Sequence, residues 1–232
     1  MGSRQKRLLF ASSALLGLGC ALAAAVGTGL PLWVEATVLC RTGAELVNAS
    51  EAELQQFLGA VSYGLFTGSR VKQCGLGGRP TRFYFFPELL PQIPAGLHVT
   101  VLIFCCSVVL FSSLGSGFFF YNVFGRPYHT LHGPTGLYLW TALSCGCSFL
   151  VLVLFACEVK IRRVSERIAN FQESTFVFQT YSERYDLCYW LFLLVFFVQG
   201  LVLGLIRVAG IEFPFSAEKP TDAQTGAADL MY

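Results

Sequence analysis

The chain has 232 residues, 54% of them hydrophobic and only 13% charged, against about 25% charged in an average soluble domain. That excludes an ordinary globular domain, and a formal net charge of +2 provides no basic surplus of the kind that binds nucleic acid. Charge is missing from four runs, 8–30, 97–121, 136–157 and 187–206. A helix rising about 1.5 Å per residue needs about 20 residues to cross a bilayer core of roughly 30 Å. Each run is long enough, so the sequence predicts membrane helices at about 8–30, 97–121, 136–157 and 187–208.

Arg4, Lys6 and Arg7 stand directly before the first run. This is a positive-inside arrangement and also the n-region of a signal peptide, and Ala21-Leu22-Ala23 resembles a cleavage site. The run is longer than the 7–15 residues of a signal-peptide core, so it reads as a retained helix. On either reading the loop that follows is delivered to the luminal side.

That loop, 31–96, opens with Trp33 at the outer edge of helix one, the position of an aromatic-belt residue. Val34 to Leu39 are β-branched and apolar and read as a strand. Ser50-Glu51-Ala52-Glu53 has the form of a capping box, with Ser50 bonding the amide of Glu53 and the Glu53 side chain reaching back. Leu54, Phe57, Leu58 and Val61 then recur at helical spacing and predict a short amphipathic helix. Further strands are expected at 71–74 and 82–86, around the turn-prone Gly75-Leu76-Gly77-Gly78. The loop is thus a small folded lid. Its two cysteines, Cys40 and Cys74, would staple it, contributing about 4 kcal/mol in the chain-entropy model; the alternative is two free thiols on an oxidising face. Asn48-Ala49-Ser50 is a glycosylation sequon that would be used at Asn48 only in the lumen.

In helix two, Gly115 and Gly117 with Ser112, Ser113 and Ser116 form a small-residue patch suited to close helix approach. His98 near its start reads as an interfacial residue. The short connection that follows carries His129 and His132, which lack a third ligand, so no metal site is expected. Beyond helix three, Ile161, Val164, Ile168 and Phe171 continue an apolar stripe at helical spacing, predicting an extension past the bilayer. Phe176 to Tyr181 alternate and predict a strand added to the sheet of the first loop. In helix four, Gly200 and Gly204 have small-xxx-small spacing, read as packing within the bundle, with contact between protomers as the alternative. The remaining cysteines, Cys20, Cys105, Cys106, Cys145, Cys147, Cys157 and Cys188, read as packing residues, with palmitoylation open near the cytoplasmic ends. The polar tail 209–232 reads as disordered. Its Leu230, Met231 and Tyr232 could enter a PDZ groove by strand addition.

With both termini cytoplasmic, six of the 16 Lys and Arg lie inside and ten outside, which opposes the positive-inside rule. The orientation is kept because the first helix usually dominates and folded loops obey the rule less well.

Trp33, Gly64-Leu65-Phe66 and the loop cysteines resemble the claudin-like tetraspan proteins, whose first loop carries a Trp, a Gly-Leu-Trp and two Cys. Here Phe66 replaces the second Trp, and Cys40 precedes the tripeptide. Within that group the chain resembles the clarin family, through Ala36-Thr37-Val38-Leu39-Cys40, Leu46-Val47-Asn48-Ala49-Ser50, Tyr63-Gly64-Leu65-Phe66, Gln73-Cys74-Gly75-Leu76-Gly77, Glu166-Arg167-Ile168-Ala169-Asn170 and the terminal Ala228-Asp229-Leu230-Met231-Tyr232. The resemblance implies a claudin-like four-helix bundle under a small extracellular β-sheet lid. It also implies a glycosylated plasma-membrane protein of hair cells and photoreceptors, serving hearing, balance and vision. Such a protein would organise stereocilia and ribbon synapses through actin-linked complexes, calcium-channel subunits and PDZ scaffolds.

Three functions are weighed. The first is a non-enzymatic membrane organiser. The second is a claudin-like pore or channel-auxiliary subunit; conducting proteins place ionisable or strongly polar groups inside their spans, and here Gln199 is the main one. The third, an intramembrane enzyme, would need paired acid, base or metal groups within the bilayer. The organiser is preferred, with the bilayer and membrane or scaffold proteins as partners, and with no cofactor, small-molecule substrate or nucleic acid.

Overall fold

A computed structural model describes residues 3–75, 77–89, 91, 93, 95–124 and 134–208. The expected tail contact at Leu230, Met231 and Tyr232 and the pair His129 and His132 lie outside them.

Helices α1 (Ser3–Gly29), α3 (Ala95–Phe124), α4 (Pro134–Arg162) and α6 (Leu187–Val208) cover the four apolar runs. All four are long and apolar enough to cross a membrane. Small residues set how closely they meet. Ser116 Oγ on α3 donates to the Ala14 carbonyl of α1, and a Cβ on Gly115 would lie 3.5 Å from Trp140 Cβ of α4. Gly117 has open space at the same position, so only one side of the predicted small-residue patch faces a neighbour.

Five antiparallel strands, β1 (Val34–Cys40), β2 (Leu58–Tyr63), β3 (Thr67–Lys72), β4 (Arg79–Tyr84) and β5 (Phe178–Tyr185), form one sheet in the order β4-β3-β2-β1-β5. The strand expected near 176–181 does join this sheet, as β5, running to Tyr185 and pairing with β1. Alternation in β1 sends Val34, Ala36, Val38 and Cys40 inward, as a strand with one covered face requires. The cover is α5 (Val164–Asn170), whose Val164, Ile168 and Ala169 are buried. The core is continuous, because these residues belong to the same apolar cluster as Val108 and Phe155 of the bundle.

Several expectations are corrected. The helix proposed for 54–61 is a single 3-10 turn, Leu54–Phe57, after which the chain enters β2. Leu58, Gly59 and Val61 pair with β1 instead, and a Cβ on Gly59 would lie 2.3 Å from the Val71 carbonyl oxygen across the sheet. A helix at Arg41–Leu46, α2, was not foreseen. Strands β3 and β4 begin before the expected 71–74 and 82–86, because Gly64-Leu65-Phe66 makes the turn into β3. The extension of helix three is broken at Arg163, whose φ is 48°. The stripe therefore divides: Val164, Ile168 and Phe171 are buried while Ile161 is 72% exposed. In the capping box the Glu53 carboxylate accepts from both the Ser50 amide (2.9 Å) and the Ser50 hydroxyl (2.8 Å). The Glu53 amide bonds the Ser50 carbonyl rather than its side chain.

Candidate functional site

Cys40 ends β1 and Cys74 follows β3, and the two form a disulfide with their Cα atoms 5.4 Å apart. The staple closes over Gly43, where an added Cβ would lie 2.5 Å from Cys74 Sγ, so α2 reaches the bridge only with glycine at that position. Asn48 stands at the exposed end of α2 in a left-handed conformation, φ 49°, which asparagine tolerates better than most residues.

The lid meets the bundle at the motif residues. Trp33 is fully buried and not a belt residue facing lipid. Its indole Nε1 donates to the Gly27 carbonyl at 2.8 Å, and its ring packs on Phe155 and Phe192 at 4.7 and 5.0 Å between centroids. Its backbone accepts from the Asp186 amide at 2.9 Å, and the neighbouring Leu32 carbonyl accepts from Cys188 at 2.8 Å. One tryptophan thereby ties the end of α1, the first strand and the start of α6.

The β2–β3 turn supplies the second junction. The Gly64 amide closes it by donating to the Thr67 carbonyl at 2.9 Å. A Cβ on Gly64 would lie 2.4 Å from the Leu30 carbonyl oxygen and 2.7 Å from Pro31 Cα. Only glycine lets the turn come this close to the end of α1. Leu65 is fully buried, and Phe66 stays 42% exposed beside the ring of Phe86.

Beneath this turn lies a pair that the sequence did not disclose. His98 is 1% exposed rather than interfacial. Its Nδ1 is hydrogen-bonded to Glu158 Oε1 and its Nε2 donates to the Leu65 carbonyl, both at 2.8 Å, while Phe85 stacks on the ring at 4.6 Å. Both ring nitrogens have an oxygen partner, so the imidazole is held at both ends. Glu158 Oε2 is buried without a hydrogen-bond partner among the described residues. The pair joins α3 to α4 and both to the lid. A signal existed in Glu158, an acid abutting an apolar run.

On the inner face of the lid, Tyr63 OH lies 3.0 Å from Ser165 Oγ, and burial holds its phenol well above the usual range. Arg70, also unforeseen, is 6% exposed. Its Nη1 donates to the carbonyls of Ile168 (2.8 Å) and Phe171 (2.7 Å) at the end of α5, and its Nε to Thr81 Oγ1. Burial pulls its pKa below the ordinary arginine value. Lys72 pairs with Glu173 at 2.6 Å, and that bond holds the Glu173 carboxyl below its usual range.

In the middle of the bundle, Gln199 Nε2 donates to Ser112 Oγ at 2.8 Å, and Ser112 Oγ lies 2.7 Å from Ser144 Oγ. These three side chains thus link α3, α4 and α6. Gly200 and Gly204 have open space where a Cβ would stand. They lie on the outside of α6, so packing of this stripe within the bundle is corrected: no helix of the chain rests on it among the described residues. Among those residues too, no group of three or more His, Cys, Asp or Glu is placed to hold a metal.

Four apolar helices under a disulfide-bonded sheet define a multi-pass membrane protein of the tetraspan class. The Clarin-2-like family model matches residues 5–206. The chain is 50% identical to Clarin-1 of Homo sapiens over the whole of both chains. It is 35% identical to Clarin-2 of Mus musculus over 98% of each, and 27% identical to Clarin-3 of Homo sapiens over 92% of this chain and 88% of that one. The chain belongs to the clarin family.

Proposed function

We propose that this clarin is a non-enzymatic organiser in the plasma membrane of sensory cells, serving hearing, balance and vision. The lid faces outward and both termini face the cytoplasm. It works by binding membrane and scaffold proteins that connect to actin and to calcium channels, with the tail at 229–232 as one point of attachment. The observation that supports this reading is the inward pairing of the polar side chains of the spans: Ser112, Ser144 and Gln199 satisfy one another. Apolar surface such as Leu194, Phe197 and Leu201 is turned outward, towards lipid or a partner's helices. Asn48, exposed on the lid, is the glycan acceptor in this arrangement.

Affinity capture of the full chain from sensory cells tests the reading. Recovery of calcium-channel or PDZ-scaffold subunits, lost on deleting 229–232, is the expected result. Ion conductance by the purified protein alone in a planar bilayer would replace it with the pore reading.

A further inference from the structure

The inner side of strands β3 and β4 carries more positive charge than the chain neutralises. Arg70, Lys72 and Arg79 line a cavity of about 260 Å³ together with Glu173 and the rings of Phe176 and Phe178. Lys72 already holds Glu173. Arg70 makes no salt bridge among the described residues. Its Nε and Nη1 are bonded to neutral oxygens, and Nη2 has no acceptor there. Arg79 is exposed and likewise has no carboxylate partner among the described residues. Three cations thus share one anion around a cavity with two aromatic walls.

The guanidinium of Arg70 is also fixed in advance. Two backbone carbonyls hold Nη1, and Phe171 lies under Cζ at 5.5 Å. A group immobilised before its ligand arrives loses little entropy on binding. The remaining nitrogen of Arg70, Nη2, can give an oxyanion a charge-assisted hydrogen bond. The volume lies just below the range of about 300–1,000 Å³ for drug-sized ligands, so the occupant is a small acid or a single acidic side chain.

We propose that this cavity is a binding site for a carboxylate carried on an apolar stem. The oxyanion lies between Arg70 and Arg79 and the stem lies against Phe176 and Phe178. The carboxylate comes either from a small free acid or from an acidic side chain of a protein loop. The proposal is independent of the organiser reading, since it concerns a ligand of the purified chain.

The test uses the full chain in nanodiscs, with empty nanodiscs as the blank. Saturation-transfer NMR measures binding of 4-phenylbutyrate and of its neutral amide, 4-phenylbutyramide. A probe of about a dozen non-hydrogen atoms reaches roughly millimolar affinity, and the acid should bind at least about tenfold more tightly than the amide. Arg79→Gln removes an exposed charge and should weaken the acid about threefold or more. Glu173→Gln removes the competing anion and should tighten it by a similar factor. Arg70→Lys keeps the charge but loses the prepositioned Nη2 donor, and should narrow the preference for acid over amide. A short peptide with an adjacent Phe and Glu, assayed alongside, separates the sources: tighter binding than phenylbutyrate assigns the site to a protein loop, and weaker binding to a free acid. Equal binding of acid and amide, or no saturable binding of the acid, would overturn the proposal. So would affinities unmoved by both Arg79→Gln, which removes an exposed side chain, and Glu173→Gln, which removes the ion pair with Lys72.

Discussion

The lid and the bundle solve the same problem by opposite means. In the bundle the polar side chains that link helices are few, chiefly Ser112, Ser144 and Gln199 at one level and Ser116 on the Ala14 carbonyl; most of the remaining contact is apolar, in a lipid-like medium. In the lid and at its junction the polar groups are many. They are spent on fixing one element against another: Trp33 on Gly27, His98 on Glu158 and Leu65, Arg70 on the end of α5. The lid is too small to be held by apolar burial alone, so specific bonds and a disulfide take over. Damage to one member of that set should therefore loosen the lid while leaving the helices inserted.

The largest effect is expected for Trp33→Ala. It removes a fully buried ring and its hydrogen bond at the meeting point of α1, β1 and α6, a loss of about 5 kcal/mol. Amide exchange in β1 should rise sharply, with exchange in the middle of α3 unchanged. If both regions loosen together, lid and bundle are a single cooperative unit. Next comes Cys40→Ser, which opens the bridge to Cys74 across 34 residues and should cost about 4 kcal/mol. The readout is urea-dependent protease sensitivity of the lid, and a variant as resistant as the wild type would deny the staple its role.

A smaller, pH-dependent effect belongs to Lys72 and Glu173. The Glu173 carboxyl is lowered from its ordinary 4.5 by Lys72. It therefore contributes stability above that value and loses it as pH falls through the lower, folded value. The partly exposed pair is worth about 0.5–1 kcal/mol. Melting curves of wild type and Glu173→Gln should accordingly converge as pH falls below the ordinary carboxylate range, and a gap that does not narrow with falling pH would assign the difference to another cause. The smallest effect is Gln199→Leu in the bundle, about 0.6 kcal/mol by the average for hydrogen bonds between membrane helices. A steric-trap measurement in bicelles resolves that, and a loss as large as that of Trp33→Ala would erase the contrast between the two regions.

The bundle was the more legible of the two in the sequence. Long uncharged runs read as membrane helices, with a signal peptide as the alternative for the first alone, and α1, α3, α4 and α6 lie where those runs stand. The lid was legible where a residue has one plausible role: Cys40 and Cys74 are the only cysteines of their loop, and Val34 to Leu39 favour a strand locally. It was misread where local and tertiary preferences diverge. Leu54, Phe57, Leu58 and Val61 have helical spacing, yet the edge offered by β1 takes Leu58 and Val61 into β2. Trp33 and His98 sit at helix ends, where an interfacial role is the usual one. Their burial depends on partners 122 to 159 residues away for Trp33 and 60 away for His98. Gly200 and Gly204 have a spacing that allows packing and does not compel it, and they face outward.

The sidedness of the lid is the central claim, since the staple, the sequon and the partner surface all depend on it. It is tested most directly by gel mobility before and after N-glycosidase treatment, for the wild type and Asn48→Gln expressed in the same cells. The account predicts that only the untreated wild type runs slow, and that enzyme brings it level with the variant. Identical mobility of all four samples would contradict it.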